Sequence, residues 1–267
     1  MALPPPDPGA TCLVTGASSG IGAEIARALA RRGHGVTLVA RREERLRDLA
    51  TELSERHDVR AETLGCDLAD EGARTLMLAG LAELGLVVEV LVNNAGFGTA
   101  GRFVELDQER ELEMVGLNVE AVVALCGRFV PEMEQRGRGA VLNLASTAAF
   151  QPLPRNATYA ATKAFVLSFT DALHAELRGT GVTATSLCPG PVKTEFVEVA
   201  GMDGAADSAP SFVWTSADSV AEQGVRGLES GKRVVVPGKF NAAGALGGQH
   251  VPRGLLLRFA ERFSPTR

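Results

Sequence analysis

The stretch TGASSGIG, residues 15–22, lies between a short apolar run and a segment of helical character, and it decides how this chain folds. The run before it, TCLVTG, is typical of a buried strand. Gly16 permits a tight turn, whereas Gly20 and Gly22 let the backbone approach a pyrophosphate and let the helix pack on the sheet. The free N–H groups at the start of that helix would then face the anion.

The spacing of these glycines is G-x-x-x-G-x-G, which differs from the commoner G-x-G-x-x-G, and a glycine-rich turn on its own can be purely structural. Its place after a strand and before a helix favours a phosphate-binding turn. The candidate cofactor contacts in this turn are Gly16, Ser18, Ser19, Gly20, Ile21 and Gly22.

Apolar strands alternate with helical segments along most of the chain. Seven strands are predicted, in TCLVTG, GVTLVA, RAETLGCD, the end of AELGLVVEVLVNNAG, GAVLNLAS, GVTATSLCPG and KRVVVPG. The clearest helices are predicted at about 21–32, 42–56, 107–135 and 157–178. This alternation indicates an α/β fold of the Rossmann type: a doubly wound, seven-stranded parallel sheet with helices on both faces. Polar and glycine-rich stretches follow several strands, so they converge on the edge where such sheets bind ligands.

One domain is predicted over residues 10–250, after a proline-rich, flexible lead-in at 1–9. Within it, residues 197–216 are rich in Gly, Ala, Ser and Asp and are predicted to form a flap over the ligand edge, although a plain surface loop is the alternative. The tail, 251–267, interleaves Leu and Phe with arginines. We expect it to pack on the domain or on a second subunit; contact with a membrane surface is the alternative.

The composition limits the kinds of function. The chain has 267 residues and a formal net charge of −5, so it lacks the basic field that binds nucleic acid. Its N-terminus does not resemble a signal peptide, and no continuous apolar run approaches the ~20 residues that span a bilayer. Four histidines are scattered without metal-ligand spacing, and we expect no metal site. We expect the cysteines to be separate buried thiols in a reducing, cytoplasmic setting; they are Cys12, Cys66, Cys126 and Cys188.

Two arginines indicate which dinucleotide is bound. Strand two ends at Ala40, and Arg41 and Arg42 follow it, where an NAD-binding protein would carry a carboxylate for the ribose 2′-OH. The planar guanidinium group suits phosphate oxygens. We therefore predict that one or both arginines bind the 2′-phosphate of NADP; the alternative is two solvated arginines at the start of a charged helix.

Tyr159 and Lys163 are four residues apart, one turn along a predicted helix, and Tyr159 is the only tyrosine in the chain. A neighbouring ammonium group lowers the pKa of a phenol and makes it a better proton donor and acceptor near neutral pH. Ser146, at the end of strand five, would lie at the ligand edge and could bond the same substrate oxygen. A surface pair without function is the alternative for Tyr159 and Lys163.

Together these motifs resemble the short-chain dehydrogenase/reductase family, in its compact single-domain branch. TGASSGIG, NNAG at 93–96, Ser146, the Tyr-x-x-x-Lys of Tyr159 and Lys163, and PG at 189–190 occur in family order, and the resemblance covers about residues 10–240. The longer branch usually carries G-x-x-G-x-x-G, which this chain lacks, so an epimerase or dehydratase of that type is less expected.

The resemblance implies roles for these residues. Tyr159 would be the general acid in reduction and the general base in oxidation, while Lys163 would lower its pKa and bind the nicotinamide ribose. Ser146 would orient the substrate oxygen, and Asn118 would support a water-mediated proton relay to the lysine. Further cofactor contacts are implied at Asp67 and Leu68 for adenine, at Asn94, Ala95 and Gly96 for ribose, and at Pro189, Gly190, Val192 and Thr194 for the carboxamide and phosphates.

The implied activity is that of an NADP(H)-dependent oxidoreductase that interconverts a carbonyl and an alcohol on a small molecule. A different possibility is a non-catalytic, NADP-binding protein that responds to redox state. Family members commonly pair through the helix at 157–178, so a homodimer or homotetramer is expected. The substrate is not predicted; side chains that could shape an apolar pocket are Phe150, Gln151, Leu153, Phe196, Phe212 and Trp214.

Overall fold

The computed structural model describes residues 3–196, 200, 214–251, 254 and 257. The seven predicted strands are all present: β1 (Ala10–Thr15), β2 (Val36–Ala40), β3 (Ala61–Gly65), β4 (Val87–Asn93), β5 (Gly139–Leu144), β6 (Val182–Leu187) and β7 (Val234–Val235). They form one sheet in the order β3-β2-β1-β4-β5-β6-β7, and every pairing is parallel. The doubly wound fold class is therefore confirmed.

The helices in the described residues are α1 (Gly20–Ala30), α2 (Glu43–His57), α3 (Glu71–Glu83), α4 (Gln108–Val115), α5 (Ala121–Arg136), α6 (Ala157–Glu176), α7 (Ala217–Glu229) and α8 (Lys239–His250). A π-helical turn, Gly116–Glu120, joins α4 to α5, so the helix predicted at about 107–135 is one rod with a widened turn inside it. Side chains cap several helices: Asp70 accepts from the Ala73 amide and Asp107 from the Glu109 amide.

The order of the strands places the ligand edge. From β1 the chain winds outward through β2 and β3, and from β4 it winds the other way, so the direction of winding reverses between β1 and β4. A crevice opens where helices diverge above such a reversal, outside the carboxyl ends of the strands. The turn after β1 and the NNAG stretch after β4 therefore meet at this crevice.

Two apolar clusters cover the two faces of the sheet. Val14 and Leu38 point to the cluster that contains α1, α2 and α7, whereas Leu13 and Val39 point to the cluster that contains α3, α5 and α6. Because both faces are covered, the central strands are apolar throughout instead of alternating with polar residues. All four cysteines are buried free thiols, as predicted.

An ion-pair cluster ties α1 to α7. Arg32, just after α1, donates to Glu229 over 2.7 Å and to Glu222 over 2.8 Å, across sequence separations of 197 and 190 residues. Hydrogen bonds to these carboxylates raise the pKa of Arg32, against the effect of its partial burial. The first helix of the chain is thus anchored by one of the last.

The segment Gln108–Arg136 is long and apolar enough, by length and composition, to cross a membrane, with a mean hydropathy of 1.4 over its most apolar window. A search for continuous apolar runs misses it because charged residues interrupt the sequence. In this fold the buried side of the segment packs against β4, β5 and α6, as a core helix does.

The first described residues contact the domain at two points: Leu3 belongs to the buried core, and Asp7 pairs with Arg138 over 3.1 Å, while residues 5–9 are exposed. The flexible lead-in at 1–9 stays a prediction. Most of the predicted flap, at 197–199 and 201–213, lies outside the described residues, as does most of the tail beyond Val251.

Candidate active site

A cavity of about 610 Å³ opens at the carboxyl edge of the sheet, beside the reversal between β1 and β4. The residues predicted to bind the cofactor or to take part in catalysis line this cavity, with the exception of Gly22 and Asn118. The predicted residues therefore converge on one cavity, and their roles stay predictions.

The glycine turn has the geometry that its sequence requires. Gly16 and Gly20 adopt φ values of +64° and +57°, in the left-handed region where a side chain is disfavoured. A Cβ on Gly22 would lie 2.4 Å from the Asn94 amide nitrogen, and a Cβ on Gly20 would lie 3.2 Å from the Thr194 methyl group. These glycines let the turn lie close to the segments after β4 and β6, and they leave the N-terminus of α1 open to the cavity.

Thr15, which sequence reasoning missed, joins the turn to the end of β4. Its hydroxyl donates to the Val92 carbonyl over 3.1 Å and accepts from the backbone amides of Asn94 and Ala95 over 2.9 and 3.0 Å. The Asn94 side-chain amide in turn donates to the carbonyls of Thr15 and Gly16. The polar residue that ends β1 was the available signal, because a buried threonine needs a hydrogen-bond partner.

Arg42 points into the glycine turn. Its guanidinium group donates to the Ser18 hydroxyl over 3.0 Å and to the Ser19 hydroxyl over 2.7 Å. It also donates to the Glu195 carboxylate over 2.7 Å. This arrangement places a cation and two hydroxyl groups side by side at the outer end of the cavity.

Of the two arginines predicted to bind the 2′-phosphate, singly or together, only Arg42 contacts the glycine turn. Arg41 points away from the turn and lies 3.5 Å from Asp67 and 3.7 Å from Glu113. Arg45, three residues after Arg42 and not predicted, reaches the same Glu195 carboxylate as Arg42, over 2.6 Å. Adjacent residues at the start of α2 point in different directions, whereas residues three apart share a face of the helix, as Arg42 and Arg45 do.

Ser146 and Tyr159 meet at the inner end of the cavity. Ser146 follows β5; its hydroxyl accepts from the Ala148 amide over 3.1 Å and lies 3.4 Å from the Pro189 carbonyl oxygen, to which it donates. Tyr159, in the first turn of α6, has its phenol within hydrogen-bonding reach of Ser146. The two hydroxyls therefore face the same small volume.

Burial shifts the pKa values of both Tyr159 and Lys163. Burial raises the pKa of Tyr159 to about 12, although the hydrogen bond with Ser146 acts in the opposite direction. Burial thus dominates in the cofactor-free site, and the lowering by Lys163 stays a prediction. Burial also lowers the pKa of Lys163 to about 8, and its ammonium group donates to the Leu144 carbonyl over 2.9 Å and lies 5.8 Å from the Tyr159 ring centroid.

Asn118 lies in the π-helical turn, 1% exposed. Its amide nitrogen donates to the Phe97 carbonyl and the Thr162 hydroxyl, and its oxygen accepts from the Phe97 amide over 3.2 Å. A Cβ on Gly96 would lie 2.7 Å from that oxygen and 3.5 Å from the Lys163 nitrogen. Asn118 and Lys163 therefore approach Gly96 closely, and only a glycine fits there.

Aromatic and apolar side chains line the wall beside Tyr159. Phe196, Trp214 and Leu153 line the cavity as predicted, and so does Gln151, whereas Phe150 packs into the core. Phe212 lies outside the described residues.

A family model described as short chain dehydrogenase matches residues 10–203. The chain belongs to the short-chain dehydrogenase family. It is 40% identical over 200 residues to sulfoacetaldehyde reductase 2 of Chromohalobacter salexigens, an alignment covering 74% of this chain and 79% of that protein. It is 33% identical over 242 residues to the very-long-chain 3-oxoacyl-CoA reductase of Anas platyrhynchos, covering 88% and 74%. A short-chain dehydrogenase from Sphingobium yanoikuyae, solved in complex with NADPH, matches with a TM-score of 0.81 and 31% identity over 97% of each chain.

This short-chain dehydrogenase is accordingly an oxidoreductase that acts on a carbonyl or alcohol group. Its site fits a nicotinamide dinucleotide on its own geometry, because glycines stand where a Cβ would collide and where the pyrophosphate would approach. Both Arg42 and the Ser18 hydroxyl stand near the end of β2, where a Rossmann fold holds the adenosine ribose. The features that sequence reasoning missed, Thr15, Arg45 and Glu195, act through contacts between segments distant in sequence.

Proposed function

We propose that this short-chain dehydrogenase is an NADP(H)-dependent oxidoreductase in which Tyr159, Lys163 and Ser146 interconvert a carbonyl and an alcohol. The observation that carries the proposal is the meeting of the Ser146 and Tyr159 hydroxyls at the inner end of a cavity whose outer end holds the glycine turn and two arginines. A cofactor held along the glycine turn would supply a hydride to the carbonyl carbon, and Tyr159 would supply a proton to the carbonyl oxygen.

When bound, the nicotinamide group supplies or accepts the hydride. In the direction of reduction, the Tyr159 hydroxyl donates its proton to the carbonyl oxygen as that oxygen gains negative charge, and Ser146 donates a hydrogen bond to the same oxygen. In oxidation, Tyr159 takes the proton back. The Lys163 ammonium group, which carries its charge below a pKa of about 8, stabilises the phenolate that Tyr159 becomes.

Asn118 is proposed to support the return of a proton to Lys163 as a positioning residue. Both hydrogens of its amide are bonded, to Phe97 and Thr162, so the side chain itself passes no proton. It holds the segment after β4 against α6 instead, with Gly96 between its oxygen and Lys163. A water beside that glycine would complete the path.

A preference for the phosphorylated cofactor is proposed for Arg42, Arg45 and Ser18. Arg42 and the Ser18 hydroxyl already bond each other, and Arg45 reaches the same place from the next turn of α2. A guanidinium fork and a hydroxyl group are the donors that a phosphate accepts. Arg41 is proposed to border the adenine with Asp67 and Leu68. The relative that was solved with NADPH supports this assignment.

The substrate is proposed to be a small carbonyl compound or the corresponding alcohol. The names of the two relatives indicate a sulfonated aldehyde and an acyl thioester as compounds to test first. The wall formed by Phe196, Trp214 and Leu153 favours a substrate with an apolar part next to the carbonyl.

The test is NADPH oxidation with sulfoacetaldehyde, 3-oxoacyl thioesters, and aromatic, steroidal and sugar-derived carbonyls, with NADH and the Tyr159→Phe variant in parallel. We expect turnover that prefers NADPH and falls by about 10²-fold or more in Tyr159→Phe. Turnover within a few-fold of the parent would contradict the role of Tyr159. Tight NADPH binding with no turnover on any carbonyl would favour a non-catalytic NADP-binding protein.

We also propose that two copies pair through α4 and α6. Leu112 on α4 and Phe165 on α6 are 63% and 42% exposed, and Phe165 stacks on Phe169 with centroids 6.0 Å apart. Exposed apolar side chains on adjacent helices favour a covered face. Light scattering of the parent and of Phe165→Glu is the measurement; an unchanged monomer mass in both would contradict the proposal.

A further inference from the structure

The Glu195 carboxylate accepts hydrogen bonds from the two arginines that a cofactor phosphate would need. Its two carboxylate oxygens accept separately, one from Arg42 over 2.7 Å and the other from Arg45 over 2.6 Å. Ser18, Arg42 and Glu195 all line the cavity. An oxyanion supplied by the chain itself therefore bridges the two arginines at the outer end of the site.

The carboxylate is not needed to orient Arg42. Two other groups hold that guanidinium: the Ser18 hydroxyl accepts from it over 3.0 Å and the Ser19 hydroxyl over 2.7 Å. What Glu195 adds is a negative charge, and it keeps that charge, because hydrogen bonds from Arg45 and Arg42 lower its pKa to about 2. Glu195 accepts from the Nη1 atoms of Arg42 and Arg45, and a phosphate accepts from the same kind of donor, so the two compete for these N–H groups.

We propose that Glu195 is a built-in competitor of the cofactor 2′-phosphate: its carboxylate occupies Arg42 and Arg45 in the cofactor-free protein, must leave when the phosphate binds, and so sets how strongly the phosphorylated cofactor is preferred. The inference rests on the proposed binding of NADP(H). It makes Glu195 a specificity-determining residue that acts by weakening the preference, in contrast to the arginines that create it.

The position of Glu195 also links cofactor recognition to the substrate wall. The next residue, Phe196, places its ring 5.5 Å from the Tyr159 ring, centroid to centroid. Upstream, the segment is held in place by the Thr215 amide, which donates to the Pro191 carbonyl over 3.1 Å. When Glu195 leaves the arginines, the movement therefore falls in the short segment between Pro191, which Thr215 holds, and Phe196, which contacts Tyr159.

The test compares two ligands that differ only in the 2′-phosphate: adenosine 2′,5′-bisphosphate and adenosine 5′-monophosphate. Their dissociation constants are measured by calorimetry on the full chain for the parent and for Glu195→Gln, which keeps the shape and removes the charge. Glu195→Ala is the second variant, and Glu132→Gln, which removes a carboxylate from an arginine pair on α5, is the matched control. Thermal melting verifies that each variant is folded.

Each Glu195 variant removes two partly exposed ion pairs that compete with the phosphate for the arginines. We therefore expect Glu195→Gln and Glu195→Ala to bind the bisphosphate about three- to tenfold more tightly. Binding of the monophosphate should change by less than about twofold, as should both ligands in Glu132→Gln. An unchanged or weaker affinity of both Glu195 variants for the bisphosphate would overturn the inference. If the parent binds both ligands equally, the proposed NADP(H) preference itself fails, which is a separate result.

Discussion

The rings of Tyr159 and Phe196 lie with their centroids 5.5 Å apart and their planes inclined by 50°. Phe196 thus covers part of the phenol that we assign to proton transfer. Burial of that phenol is the main reason why its pKa is raised to about 12 in the cofactor-free site. The phenol therefore keeps its proton at neutral pH in the cofactor-free site.

The ionisation of Tyr159 can be measured directly, because it is the only tyrosine in the chain. We expect phenolate absorbance to appear with a midpoint near 12, above the ordinary value of 10. Phe196→Ala admits water to the ring and should lower that midpoint, while Phe103→Ala, at an exposed site, should not. A midpoint of 10 or below in the folded parent, verified by circular dichroism, would contradict the assigned burial.

Lys163 should give the stability a recognisable pH dependence. Its pKa is lowered from 10.5 to about 8 on folding, so between these values the unfolded chain binds a proton that the folded chain does not. Stability from this group therefore rises with pH across that window and is lost as pH falls through it. In Lys163→Met this pH-dependent contribution to stability is absent.

Urea unfolding of parent and Lys163→Met from about pH 7 to about pH 10 measures this difference. The unfolding free energy of the variant, minus that of the parent, should decrease steadily as the pH rises. Lys232→Met, at an exposed site, is the control and should show no such slope. A difference that is constant or grows with pH would rule out the lowered pKa.

The three arginines near the turn should contribute unequally. Because charge-assisted hydrogen bonds contribute roughly 1.5–3 kcal/mol, Arg42→Ala and Arg45→Ala should each weaken NADPH binding by about tenfold or more and leave NADH nearly unchanged. Arg41→Ala should affect both cofactors alike, because Arg41 points toward Asp67. Fluorescence titration with each cofactor is the measurement, and Arg47→Ala, paired with Glu43 on the surface, is the control. Loss of the preference in Arg41→Ala alone would reverse this assignment.

Gly96 should tolerate no side chain. A Cβ there would lie 2.7 Å from the Asn118 oxygen, so Gly96→Ala should displace Asn118, destabilise the fold by about 1–3 kcal/mol and weaken cofactor binding. Gly127→Ala is the matched control: no atom lies within 4 Å of the added carbon in the exposed face of α5, and helix propensity favours alanine by up to about 1 kcal/mol. Urea unfolding compares the two; equal stability of both variants would contradict the packing around Asn118.

Much of the fold and the cavity could be predicted because their signals are local. Apolar strands, the glycine turn and the Tyr159–Lys163 spacing each lie within a few consecutive residues, and the parallel order brings the ends of the strands together. Arg42 shares the Glu195 carboxylate with Arg45 and not with Arg41. Which arginines share a face depends on the exact residue at which α2 begins, and the sequence does not locate that start to within one residue.

What could not be predicted depends on contacts across the fold. Glu195 meets Arg42 over a separation of 153 residues, and nothing in the sequence around position 195 marks it. The spacing of Tyr159 and Lys163 shows the neighbouring charge but not the depth of burial, which raises the pKa of Tyr159 in the cofactor-free site.

The anchoring of α1 by α7 has a consequence for how the chain folds. Arg32 and the adjoining face of α1 contact Glu222 and Glu229, which are synthesised near the end of the chain. That face of α1 is therefore covered by α7 only after nearly the whole chain has emerged. A fragment ending at residue 203, the limit of the family match, lacks α7 and exposes that face. Contacts of such long sequence separation favour slow folding.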